Sequence, residues 1–359
     1  MLTSLLLVGF AFAQEAPEAP EADPAWSHIV NGKSEKGFKS AVGIGFMLGD
    51  FRYQACSASL ITPRMLLTAG HCTAEIEAQS GLTDAQVVAN GAAFFGPNVE
   101  SAPTVLGFKA LKVHPKYTNN GQVIRNDIQV IVLDEDSDET PTWFQTELLT
   151  AETAIGQDVV SVGYGITSSA DQNSSGIKRS ATLVLSDMDD QFLYTEAAGN
   201  KNKANVCSGD SGGPQYHQDT NGKWTQWAVH SFVYSLSGAQ PDPCLVASGS
   251  TRTDAFADFI LNQVDAEYGT TDRCEINGNY DDRVCDTDCA DPDPDCDLDT
   301  NGDGLVDDGE FNKADVNGDG SVSDKELIRA QSGGCNQTGT APLGLVGLAF
   351  AGLALRRRR

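Results

Sequence analysis

Three short segments of the 359-residue chain carry residue types that can perform covalent chemistry together: Thr68-Ala69-Gly70-His71-Cys72, Asn126-Asp127-Ile128 and Cys207-Ser208-Gly209-Asp210-Ser211-Gly212-Gly213-Pro214. A serine hydroxyl is a poor nucleophile at neutral pH. It becomes effective when a base lies within hydrogen-bond reach and a carboxylate fixes the tautomer of that base and stabilises its cation. Singly, each segment has a plainer explanation: a Gly-x-Ser-Gly turn is common, a lone histidine is usually surface or core, and Asp127 ahead of an apolar run could cap a strand. Their joint occurrence in the order His, Asp, Ser is the informative observation.

In order and motif the segments resemble the trypsin/chymotrypsin family of serine peptidases, from about Ile29 to about Gly269, roughly two thirds of the chain. The resemblance implies Ser211 as nucleophile, His71 as general base and then acid, and a buried Asp127 as the orienting carboxylate. It implies an oxyanion hole from the backbone N–H groups of Gly209 and Ser211, where loss of one donor costs about 3–4 kcal/mol of barrier. It pairs Cys56 with Cys72 and Cys207 with Cys244, each bridge clamping a catalytic segment and worth about 3 kcal/mol in the chain-entropy model. No cofactor is implied for catalysis, and the substrate is a protein or peptide.

The same resemblance places Asn205 at the base of the specificity pocket, where an Asp would select Arg or Lys. Val233, in Ser231-Phe232-Val233, narrows one wall and Ser248 lines the other. The expected preference is for small or medium neutral side chains before the scissile bond. It also implies a switch: a new amino terminus at Ile29, in Ile29-Val30-Asn31-Gly32, pairs with Asp210, whose burial without a partner is costly. The preceding residue is His28 rather than Arg or Lys, so a separate activating protease is expected.

The elements that must position these residues read as all-β. Val42 to Phe46, Ile128 to Leu133, Val159 to Val162 and Trp227 to Val233 are short, β-branched or aromatic, and bounded by Gly, Asn, Asp and Ser. Gly163-Tyr164-Gly165 resembles the family's Gly-Trp-Gly strand. Phe256, Phe259, Ile260 and Val264 have helical spacing within Thr253 to Tyr268. The family fold is two six-stranded antiparallel β-barrels with a C-terminal helix, here followed by a small disulfide and calcium-binding tail.

The net charge of −26 argues against nucleic-acid partners. Residues 1–13 read as a signal peptide, with Leu5 to Phe10 apolar and Ala11-Phe12-Ala13 at its end, and residues 14–28 as an acidic propeptide. The peptidase domain spans 29–269, a Cys/Asp-rich module 270–297, tandem calcium loops 298–331 and a sorting signal 332–359. Export makes disulfides the expected state of Cys274, Cys285, Cys289 and Cys296, with three connectivities open; Cys-x10-Cys-x3-Cys-x6-Cys is poor zinc spacing.

Asp299 to Glu310 matches the twelve-residue EF-hand loop. Asp299, Asn301, Asp303 and bidentate Glu310 offer side-chain oxygens, Leu305 a carbonyl and Asp307 a direct or water-bridged contact, with Gly304 at the sharp turn. Sixteen residues later the pattern recurs as Asp315, Asn317, Asp319, Ser321, Ser323 and Glu326, with Gly320 at the turn. Structural calcium is expected there, with Val306 and Val322 pairing between loops and one short helix near Glu310 to Ala314 serving both. The plainer reading is a solvated acidic spacer.

Ser332-Gly333-Gly334-Cys335, an apolar stretch from Ala341 to Leu355 and Arg356 to Arg359 resemble the MYXO-CTERM sorting signal of myxobacteria and relatives. That implies transient membrane association, a C-terminal sorting protease, processing or lipidation at Cys335, and a final place outside a Gram-negative, myxobacterial-type cell, surface-held or released. The competing class is a non-catalytic, calcium-binding surface recognition protein on the same fold.

Overall fold

The computed structural model describes residues 29–200, 203–235, 242–280, 282–286, 289–300, 302, 304–315 and 322. The expectations for the signal peptide, propeptide and His28, for Asn301, Asp303, Asn317, Asp319, Ser321, Ser323 and Glu326, and for Cys335 and the sorting segment lie outside the described residues.

Two compact units divide between Asn277 and Gly278. The larger opens with β1 (Lys33–Ser34), β2 (Ala41–Leu48), β3 (Phe51–Thr62), β4 (Met65–Thr68), β5 (Gly91–Phe95), β6 (Thr104–Val113), β7 (Thr118–Asn119), β8 (Ile124–Arg125) and β9 (Gln129–Leu133). Strands β2-β3-β4-β9-β6-β5 close into an antiparallel six-stranded barrel, while β7 and β8 form a two-stranded ribbon. Alternation along the strands fills its interior with Val42, Leu60, Leu67, Ile131 and Leu133, all buried. Each such side chain contributes about 1.5–3 kcal/mol by leaving water.

A second set follows: β10 (Asp158–Gly163), β11 (Arg179–Met188), β12 (Phe192–Glu196), β13 (Pro214–Gln218), β14 (Trp224–Tyr234) and β15 (Ala247–Arg252). The order β11-β10-β13-β14-β15-β12 closes through β11–β12 pairing, with β1 added outside β11. The expected pair of six-stranded barrels is therefore present. Helix α1 (His71–Ser80) leaves the end of β4, and α2 (Asp84–Asn90) and α3 (Ala151–Ala154) are short connectors. The C-terminal helix α4 (Ala257–Tyr268) packs Ile260 and Val264, with Phe256 just before it, into the core of the first barrel. It stops at Gly269, whose left-handed φ of 73° lets its N–H reach the Asp265 carbonyl at 2.7 Å. A further turn, α5 (Arg273–Asn277), follows, and Ile276 packs on the same core. The compact unit thus runs past Gly269 to Asn277.

The smaller unit holds α6 (Pro294–Leu298) and α7 (Asp308–Ala314). Leu298, Val306 and Ala314 form its apolar cluster, with Phe311 and Val322 against it. A Cys285–Cys296 disulfide braces this unit, and Cys274 and Cys289 are also disulfide-bonded.

Candidate active site

His71 is the first residue of α1, where helix amides lack internal acceptors. Asp127 supplies one: its Oδ1 accepts the His71 backbone N–H at 2.8 Å, and its Oδ2 lies 2.8 Å from His71 Nδ1. A single buried carboxylate thus fixes both the helix start and the imidazole. Asn126 sets up this arrangement with a φ of 51°, a left-handed conformation that asparagine tolerates, and donates its side-chain amide to the Lys116 carbonyl at 2.6 Å. Burial pulls the His71 pKa down, but the Asp127 charge and hydrogen bond outweigh it, leaving the imidazole above its ordinary value.

Two partners of Asp127 were not legible in the sequence. Ser231 donates its hydroxyl to Oδ2, and Thr251 donates its hydroxyl to the Asp127 carbonyl at 2.9 Å. The β14–β15 register shifts between His230 and Phe232, and this bulge re-aims Ser231. No motif announces a bulge; it follows from how two strands pair.

Ser211 follows a tight turn tied to both barrels. Its carbonyl accepts from the Ser57 N–H at 2.8 Å and lies 3.7 Å from Sγ of Cys72. The Cys56–Cys72 and Cys207–Cys244 bridges both form, as the resemblance implied. The Ser211 hydroxyl has no hydrogen-bond partner among the described residues, and none joins it to His71; such bonds commonly tighten only when substrate binds.

The amides beside Ser211 are set by their own peptide planes. In a trans peptide the C=O and N–H point in opposite directions. The Ser208 carbonyl is held inward by the Ile166 N–H at 2.9 Å and the Asp210 carbonyl by the Gly213 N–H at 2.9 Å, so the N–H groups of Gly209 and Ser211 turn the other way. Neither has an acceptor among the described residues. Gly209 has a φ of 89°, and a Cβ there would lie 2.9 Å from Gly165 Cα.

Asp210 is fully buried. Its carboxylate accepts the Gly165 N–H at 2.8 Å and the Cys207 N–H at 2.9 Å, which explains Gly163-Tyr164-Gly165: a Cβ on Gly165 would come within 2.5 Å of the Asp210 backbone nitrogen. Burial raises Asp210 to about 6 despite these bonds and the nearby Arg179 guanidinium. Ile29 is also fully buried, in the second barrel's apolar cluster, but no hydrogen bond joins its N–H to Asp210 among the described residues.

Asn205 is buried and its Oδ1 accepts the Ser248 hydroxyl at 2.8 Å. Val233 stands opposite Ser248 across β14–β15, so the three pocket residues named from the sequence occupy neighbouring positions. Of the three, Val233 lines an open cleft of about 470 Å³, together with His71, Ser231 and Phe232.

In the smaller unit, both ends of the first loop turn inward. Asp299 accepts the Gly302 N–H at 2.7 Å and the Gly304 N–H at 2.8 Å, and Glu310 accepts the Thr300 N–H at 2.8 Å. Asp307 caps α7 by accepting from Gly309 and Glu310 at 2.7 and 2.9 Å. Leu305 bridges Val284, and Asp315 ends α7. Carboxylates and a backbone carbonyl are the hard oxygen donors that calcium takes, and here the carboxylates accept from the loop's own N–H groups.

Two β-barrels with this His-Asp pair and these amides are the architecture of serine peptidases. A family model described as Trypsin matches residues 29–260, and the chain belongs to that family. It is similar to CLIP domain-containing serine protease B10 of Anopheles gambiae, 31% identical over 182 residues, covering 44% of this chain and 49% of that protein, about half its length. It is also similar to chymotrypsin-like elastase family member 1 of Bos taurus, 24% identical over 74% of this chain and 97% of that one. Trypsin of Saccharopolyspora erythraea is 27% identical over 59% of this chain and 88% of its own length.

Proposed function

We infer that the chain is an exported serine endopeptidase, made as a zymogen, with a calcium-binding tail and a C-terminal sorting signal. The observation that carries the catalytic reading is the His71–Asp127 pair, joined at Nδ1 and at the backbone N–H, beside the Ser211 turn with its two outward amides.

In this reading the Ser211 oxygen attacks the peptide carbonyl carbon as its proton passes to His71 Nε2. The carbonyl oxygen becomes an oxyanion held by the Gly209 and Ser211 N–H groups. Collapse of the intermediate breaks the C–N bond, and His71 returns the proton to the leaving amine. Water, deprotonated by His71, then hydrolyses the acyl-enzyme and restores Ser211. Asp127 holds the imidazole in place throughout, supported by the Ser231 hydroxyl.

Cleavage before Ile29 by another protease supplies an ammonium group for Asp210, a buried carboxylate with no ion pair among the described residues beyond the field of Arg179. Asp299, Leu305, Asp307 and Glu310, with Asn301 and Asp303, would hold one calcium ion, and the Asp315 to Glu326 loop a second. These ions order the tail and take no part in the reaction. Cys335 is the processing point, and Cys335→Ala should alter the partition between cell surface and medium; unchanged fractionation counts against sorting.

The direct test is intact-mass labelling by a fluorophosphonate, before and after trimming to Ile29, with Ser211→Ala as control. Labelling of Ser211 confined to the trimmed form supports both peptidase and zymogen. Absence of labelling in either folded form favours the non-catalytic recognition protein.

A further inference from the structure

We propose that the second barrel carries a polar receptor behind Ser211 that takes a carboxylate side chain, and that His230 and Asn205 direct cleavage after glutamate. This deepens the peptidase reading and rests on it.

Both residues are almost wholly buried, and both hold one polar atom with no partner among the described residues: Asn205 Nδ2 and His230 Nε2. A buried polar atom left unpaired is costly, and native proteins rarely keep one without a role for it. The other ends of the two side chains are anchored. Asn205 Oδ1 receives the Ser248 hydroxyl, itself 2.8 Å from Thr195 Oγ1, and His230 Nδ1 lies 3.3 Å from Ser250 Oγ.

The placement ties these atoms to the nucleophile. His230 accepts from the Gly212 N–H and donates to the Gly213 carbonyl, each at 2.8 Å, immediately after Ser211. It pairs with Ser250 across β14–β15, as Val233 pairs with Ser248. Two residues apart on one strand, Ser248 and Ser250 share a face. Asn205 stands six positions before Ser211, next to the Cys207–Cys244 bridge that leads into β15.

Donor counting selects the occupant. Asn205 Nδ2 can only donate. Burial pulls the His230 ring down to about 3, against the opposing pull of the Pro214 backbone, so the ring is neutral, and Nε2 donates in the tautomer whose Nδ1 accepts from Ser250. Two donors are answered by two acceptor oxygens. An aliphatic side chain leaves both unpaired, Arg or Lys sets donors against donors, and glutamine satisfies one while presenting its own N–H₂ to the other. Opposite Ser248, the branched Val233 favours a slim stem over an aromatic ring. This differs from the expectation of a small neutral residue, which counted side-chain size and formal charge but not unpaired donors.

The test uses the full-length protein isolated in active form, with working sites counted by fluorophosphonate. Values of kcat/KM are compared for matched peptides that differ only before the scissile bond: Glu, Gln, Ala, Val, Phe or Arg. Glutamate is expected to exceed glutamine about tenfold and alanine about 10²-fold, in line with sites whose polar groups need a partner. His230→Val and Asn205→Ala, each checked for folding by melting temperature, are expected to lower the Glu-to-Ala ratio about tenfold. The wild-type profile decides without the variants. A labelled enzyme that prefers Ala, Val or Gln overturns the receptor, as does a Glu-to-Ala ratio untouched by both substitutions. Failure of Ser211 to label at all overturns the peptidase reading instead.

Discussion

Burial and charge pull the His71 imidazole in opposite directions. Burial favours the neutral ring, yet Asp127 at 2.8 Å favours the cation by more, so the histidine titrates above its ordinary value. A protonated His71 cannot accept the Ser211 proton. Hydrolysis should therefore fall as pH drops through this raised value, giving an acid limb above about 6.5 in kcat/KM. Asp127→Asn removes the upward pull and leaves burial, so the limb should move to lower pH while kcat falls about 10⁴-fold because the tautomer is no longer held. An acid limb that stays put would assign the titration to another group. Ser231→Ala is a milder test of the same site. It deletes a hydrogen bond to a charged oxygen, worth about 1.5–3 kcal/mol, and should lower kcat roughly tenfold or more with KM little changed. Full activity in that variant would leave Ser231 a structural residue only.

At the scale of elements, the strands were legible where short β-branched runs lie between turn residues, as in β9 and β10, and the terminal helix from Phe256, Ile260 and Val264. What periodicity could not convey is how strands meet: the bulge that turns Ser231 onto Asp127, and the register that sets His230 against Ser250, depend on partners distant in the chain. The Ser211 turn falls between these cases. Its glycines could be read directly, but the inward anchoring of the Ser208 and Asp210 carbonyls could not. Asp210 gives this turn a pH signature. A carboxyl whose folded value is raised to about 6 binds more protons folded than unfolded, so its contribution to stability declines as pH rises from about 4 through about 6 and stays reduced above. The burial penalty is about 3 kcal/mol for a shift of this size. An Ile29 ammonium relieves it only when Asp210 is ionised. Trimming to Ile29 should then raise the melting temperature at pH 8 and much less at pH 4; equal gains at both values would argue against pairing.

Across the whole molecule charge is unevenly placed. Residues 272–329 hold 19 acidic and 5 basic side chains, a net −14 out of −26. Among the described residues of the smaller unit few apolar side chains oppose that repulsion: Leu298, Val306 and Ala314 are the buried cluster, helped by Phe311, Val322 and the Cys285–Cys296 bridge. Arg283 offsets part of the charge, 2.7 Å from Asp308 and stacked 4.3 Å from the Phe311 ring. One arginine cannot balance the carboxylates around it, whereas a divalent cation in each loop would supply compact positive charge and oxygen coordination together. Val322 packs against the cluster that buries Val306. Calcium should therefore change the circular dichroism of the full-length protein, with a midpoint near 10⁻⁴–10⁻³ M, a range typical of extracellular loops. Glu310→Gln removes one charge from the twelfth position and should weaken binding about tenfold, about 1.4 kcal/mol. Hydrolysis by an activated enzyme should persist in that variant, because Glu310 belongs to the smaller unit and the triad to the larger. Spectra indifferent to millimolar calcium in the wild-type protein would reduce the tail to an acidic spacer.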